Sequence, residues 1–79
     1  MPRFFFDTHD GGHSICDDEG IELASSDAAG RQALASLPDI ARDVLPGDGD
    51  RHDITVDVRD ETGRLMFTAT LSLVARWID

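Results

Sequence analysis

An α+β fold is what this sequence predicts: a two-layer ββαββ domain in which one helix covers one face of an antiparallel sheet of about four strands. Three observations lead there. Residues alternate apolar and polar near both ends of the chain, one apolar stripe recurs at helical spacing in the middle, and Gly-rich or acidic turn chemistry separates the segments.

The first strand is read in Arg3 to His9, rich in Phe, which runs into Asp10-Gly11-Gly12. Such a turn tolerates positive φ and reverses a strand. His13-Ser14-Ile15-Cys16 then pairs back, the acidic loop Asp17-Asp18-Glu19-Gly20 follows, and the strand resumes after the break in Gly20 to Leu23. Ser25-Ser26-Asp27 offers oxygen acceptors for the free amides of a helix start, with a carboxylate suited to the positive end of the helix dipole. Ala29, Ala33, Leu37, Ile40 and Val44, joined by Leu34 and Ala41, make a core-facing stripe about four turns long. Pro38 falls inside it and predicts a kink or two abutting helices, and Pro46-Gly47 stops it. Beyond the polar loop Asp48 to Arg51, Ile54, Val56 and Val58 alternate with polar residues. Asp60-Glu61-Thr62-Gly63 forms the turn into Leu65, Phe67, Ala69 and Leu71. Continued parity through Leu73, Ala75 and Trp77 allows the last strand to run on or to end in a packed tail.

This parity places Phe4, Phe6, Ile54, Val56, Val58, Leu65, Phe67, Ala69 and Leu71 under the helix. Phe5, Thr55, Asp57, Arg59, Met66, Thr68 and Thr70 fall on the open face.

Composition narrows the classes of function. The 79 residues make one domain, 1–79, with a thin core. Sixteen acidic against seven basic residues give a net charge of -9, which disfavours binding to nucleic acid and to anionic membranes. Cys16 is the single cysteine, so no internal disulfide forms, and a reducing cytoplasm is expected. The apolar run Phe4-Phe5-Phe6 is too short for a signal segment or a membrane span.

Met1-Pro2-Arg3-Phe4-Phe5-Phe6, Asp17-Asp18-Glu19-Gly20-Ile21-Glu22-Leu23, the Ala-rich helix and Val58-Arg59-Asp60-Glu61-Thr62-Gly63 occur in an order with a parallel elsewhere. In these pieces, which span nearly the whole chain, the sequence resembles a family of small uncharacterised bacterial proteins, mainly alphaproteobacterial, defined by a domain of unknown function. The resemblance implies a compact cytoplasmic domain and carries no catalytic residue, cofactor or activity to transfer. The family's helix is uninterrupted, and Pro38 departs from that pattern.

Among chemistry-bearing residues, His9, His13 and Cys16 are the metal-type ligands, with Asp10, Asp17 and Asp18 nearby to complete a site. If His13 and Ile15 share a face, Cys16 points away, and a polar loop with a buried thiol accounts for the same residues. Asp48-Gly49-Asp50 with Asp53 has the alternation of a calcium loop but lacks its distal Glu. Ser14 with His13, or Cys16 with His9, can be written as dyads, yet neither has an orienting third group at a recognisable spacing. No catalytic residue and no cofactor are assigned, and the protein is expected not to be an enzyme. The remaining signal is at the surface: Phe5, Met66 and Trp77 are the interface candidates, alongside Ile15, Val74 and Ile78. The leading expectation is a cytoplasmic interaction module that pairs with itself, through the open sheet face or an edge strand, or with another protein. The alternative is a small metal-binding protein using the loop His9 to Glu19. The third is an acidic mimic of nucleic acid.

Overall fold

The computed structural model describes residues 1–45 and 50–79. Among the described residues, five strands and one helix follow in the order β1 (Arg3–Asp10), β2 (His13–Ile15), β3 (Ile21–Glu22), α1 (Ser26–Val44), β4 (Arg51–Arg59) and β5 (Leu65–Val74). The predicted α+β fold is therefore present, with one strand more than the sequence suggested.

All pairings are antiparallel, in the order β2-β1-β4-β5, and β3 joins the same flank of β1 as β2. β2 pairs with Thr8 to Asp10 through the Gly11-Gly12 turn, and β3 pairs with Arg3 and Phe4. Gly11 has φ 59, the left-handed value needed at the first central position of a two-residue II′ hairpin turn. Residues 16–20 leave the sheet between these two short strands. One flank of β1 is thus an interrupted strand whose two halves are separated by the acidic loop.

Ser25 caps α1: its backbone is extended and its hydroxyl accepts the amide of Ala28. Asp27 sits in the first turn and pairs with Arg31, while Arg42 lies in the last turn, both in the sense the helix dipole favours. The helix runs as one element through Pro38, so the expectation of two abutting helices is not met. Pro38 is exposed, which keeps its ring off the packed side, although it removes one backbone donor and crowds the preceding turn. The predicted stop at Pro46-Gly47 lies outside the described residues, as do Asp48 and Gly49 of the calcium-like loop.

The core joins Phe4 of β1, Ala29, Ala33 and Leu37 of α1, and Ile54, Val56 and Val58 of β4. Phe6, Leu23, Ile40, Ala41, Val44, Leu45, Phe67 and Ala69 pack around it. α1 lies over β4 and β5. The ring of Phe67 packs over Gly30, 3.5 Å from where a Cβ would stand, an ordinary contact distance.

The alternation breaks at the start of β5. A bulge between Val58 and Arg59 leaves Val58 opposite Phe67 but Arg59 opposite Leu65, so Met66 is the extra residue. Leu65 therefore belongs to the open face and is exposed, contrary to the expected covered position. Met66, expected on the open face, instead borders the hollows between α1 and the sheet, beside Phe4, Ser26 and Phe67. No helix among the described residues is long and apolar enough to cross a membrane.

Candidate interaction surface

Two features stand apart from the packed core, one on the face of the sheet that α1 does not cover and one on a sheet edge. The first is a polar lattice. Alternation on β1, β2 and β4 puts Asp7, His9, Ser14, Cys16, Asp57 and Arg59 on this face. Arg59 donates through Nε to Asp7 Oδ2 at 2.6 Å and through a terminal nitrogen to Asp7 Oδ1 at 3.1 Å. The same terminal nitrogen reaches the Asp17 carbonyl at 2.9 Å and Cys16 Sγ at 3.7 Å, and the guanidinium stands 5.2 Å from the centre of the Phe5 ring. Phe5 is thus on the open face as expected, but a cation covers it.

Asp17 completes the missing strand. Its carboxylate accepts the Phe6 amide, which has no strand partner at that point, and the amides of Glu19 and Gly20. Burial opposes its ionisation, but these three donors outweigh it and hold the carboxyl below its ordinary range. The bidentate Arg59 guanidinium holds Asp7 below that range as well. Arg3 secures the far side of the loop by donating to the carbonyls of Glu19 and Gly20, and its own amide donates to Glu61. Gly20, at φ 73, lies so close to Arg3, Phe4 and Phe5 that a Cβ would stand 2.8–2.9 Å from their atoms. In the hairpin turn, Asp60 accepts from the amides of Thr62 and Arg64 and from the Thr62 hydroxyl, whose hydrogen bond lowers the carboxyl's pKa. The opening segment, the acidic-Gly loop and the Asp-Glu-x-Gly turn thus meet at one end of the sheet, where they hold one another.

At the other end, His9 accounts for a second network. Its Nδ1 is 2.9 Å from the Ser14 hydroxyl and its Nε2 3.0 Å from Asp57 Oδ2, while Thr68 donates to Asp57 Oδ1 at 2.6 Å. The partner of His9 is Ser14, directly across the strand pair, rather than Cys16, and an orienting carboxylate does exist, 48 residues away from the histidine. No local spacing signals such a contact. The relay lies flat on the sheet and joins β2, β1, β4 and β5. His13 is opposite Asp10 and so belongs to the other face from His9. The turn therefore separates the two histidines that the metal alternative needs together, and no cluster of three metal-type ligands occurs among the described residues. Cys16 is exposed, which corrects the expected buried thiol.

The second feature is the free edge of β5, which among the described residues pairs with β4 on one side only. Its ten residues, Leu65–Val74, carry no charge, and Leu65, Leu71, Leu73 and Val74 are all substantially exposed. The strand ends at Val74, where the Ala75 amide donates to the Asp50 carbonyl. The segment beyond it is not packed: Trp77 is 96% exposed and Ile78 84%. The strand thus runs on past Leu71 as far as Val74, but it does not reach Trp77, and the packed tail of the sequence expectation does not form.

A two-layer α+β domain with a free, uncharged sheet edge is the class these observations define. A family model described as "Domain of unknown function (DUF6894)" matches residues 3–72, and the chain belongs to that family. Neither a curated protein nor a solved structure matches it.

Proposed function

We propose that this protein is a non-enzymatic interaction module that assembles with a second copy of itself through the free edge of β5. The observation that carries this reading is the uncharged ten-residue edge in a chain with net charge -9. Exposed edges invite strand pairing, and monomeric proteins usually blunt them with charges, proline or bulges. β5 has a bulge only where it begins, at Met66, across from Val58 and Arg59 of β4. Two strongly acidic molecules repel each other over most approaches, and β5 is a stretch where their backbones can pair without bringing like charges opposite one another. The open face is a weaker candidate, since its side chains are already bound to one another in the Asp7 and His9 networks. A cytoplasmic setting fits the single exposed thiol of Cys16.

Native mass spectrometry on untagged protein tests this directly. A dimer without added mass is expected, and Ser72→Lys, which puts a charge on the exposed edge, is expected to return it to monomer. A wild-type monomer at every concentration, or a dimer indifferent to Ser72→Lys, would remove the basis of the proposal.

A further inference from the structure

The edge leaves Trp77 unexplained: the largest apolar side chain in the molecule stands in water on a segment that makes no fold. Two adjoining hollows of about 400 and 520 Å³ lie between the start of α1 and the start of β5, sharing Ser26 and Met66. Their apolar lining includes Phe4, Gly30, Leu34, Met66 and Phe67. From the structure we infer that Trp77 of each copy docks in this groove on the other copy, as an arm exchanged across the β5 pair. The inference rests on the edge-pairing reading and supplies its main anchor.

Reach decides whose Trp77 can fill the groove. β5 separates the groove, at Leu65 and Met66, from the arm, at Val74, by about 30 Å at roughly 3.3 Å per residue. Trp77 stands three residues past Val74 and so extends only about 10 Å further. A molecule's own arm cannot return to its own groove. Antiparallel two-fold pairing of two β5 strands centred on Thr70, which keeps opposed side chains on one face, sets Val74 opposite the partner's Met66. The arm then leaves β5 beside the partner's hairpin turn and groove, with Trp77 level with the partner's Gly63. Moving the register by two residues keeps it there.

Charge and area agree with this placement. Arg76 gives the arm a cation next to Trp77, and Asp60 and Glu61 flank the end of the groove nearest the hairpin turn, while Asp27 is already paired with Arg31. An indole against Met66 makes a favourable sulfur–aromatic contact. Edge pairing buries mainly backbone, whereas a stable interface needs about 1,200–2,000 Å² in total. Two docked tryptophans add roughly 150–250 Å² each. Because the exchange is symmetric, it closes at two copies and leaves no free arm to propagate a fibre.

Trp77 is the single tryptophan and the chain has no tyrosine, so intrinsic emission reports this side chain alone. The experiment follows the emission wavelength and acrylamide quenching of the full chain over a dilution series, with mass measured at each concentration. Emission at shorter wavelength and protection from quenching, appearing together with the dimer, are expected. Trp77→Ala is expected to weaken the dimer at least about tenfold, and Leu34→Glu, at an exposed position on the groove, to return Trp77 to the fully exposed emission. A dimer in which Trp77 keeps an exposed signal throughout would overturn the arm exchange and leave edge pairing standing. A monomer at all concentrations would overturn both.

Discussion

Arg59 and Asp7, 52 residues apart in the chain, meet in a two-pronged ion pair on facing sides of the β1–β4 ladder. Asp7 is directly across from Asp57 and Arg59 across from Phe5, so the pair spans the ladder diagonally. Both side chains are largely screened from water, at 14% exposed for Asp7 and 27% for Arg59. The guanidinium also grips the carbonyl of Asp17, and Asp7 accepts the Asp17 amide. This connects the ion pair to the loop that replaces the missing part of the edge strand.

That connection predicts how stability depends on acid. Asp7 and Asp17 both titrate below their ordinary value of 3.8 when folded, Asp7 because of Arg59 and Asp17 because its three amide donors outweigh burial. As pH falls through the ordinary carboxylate range, the unfolded chain takes up protons first, and protonation draws the equilibrium towards it. The stability these groups contribute is therefore present above about pH 5 and is lost progressively below about pH 4. Urea denaturation at a series of pH values is expected to show this loss, and Asp17→Asn to flatten it while lowering stability at neutral pH. A variant with the wild-type acid profile would show that these carboxylates do not control it.

Gly20 yields a sharper comparison. Gly11 and Gly20 both have positive φ, yet a Cβ on Gly11 meets open space and one on Gly20 meets Arg3, Phe4 and Phe5. Gly11→Ala is expected to cost about 1 kcal/mol, the conformational term alone. Gly20→Ala carries the same term plus displacement of β1 side chains and a backbone carbonyl, together about 2–4 kcal/mol. In a chain of this size that is a fall in Tm of roughly 10–25 °C, against roughly 5 °C for Gly11. Equal losses in thermal denaturation would mean that the loop simply moves away from β1.

These cases show what the sequence could and could not disclose. Strand alternation in β4, the Ser25 cap and the Ala29-Ala33-Leu37 stripe are local patterns, and each is found in the structure. What local pattern misses is non-local. The bulge opposite Arg59 changes the face of Leu65 and Met66, and no residue of Leu65 to Leu71 signals the slip. The Asp17 carboxylate that binds the Phe6 amide reads in the sequence as one acid among three in a solvated loop. His9 finds Asp57 only because β4 lies beside β1. Trp77 continues the parity of β5, but Asp50 takes the Ala75 amide where the strand stops. At Pro38 a local rule offers a kink or a break into two helices, and the helix runs through it without the break.

The Ser14–His9–Asp57 relay separates an interaction module from an enzyme. It contains the residue types of a nucleophilic triad at hydrogen-bond distances. Catalysis also needs donors placed for the developing oxyanion and a site that excludes water, whereas Ser14 is exposed on the short strand β2. The relay is better suited to tying four strands together. Asp57→Ala, which strips acceptors from both His9 and Thr68, is then expected to cost about 1–2 kcal/mol, and Ser14→Ala less than about 1 kcal/mol. Incubation with a fluorophosphonate, followed by intact mass measurement, is expected to leave the chain unlabelled. Stoichiometric labelling at Ser14 that His9→Ala abolishes would instead make the relay a nucleophilic site, with acyl-transfer chemistry in place of a purely strand-tying role.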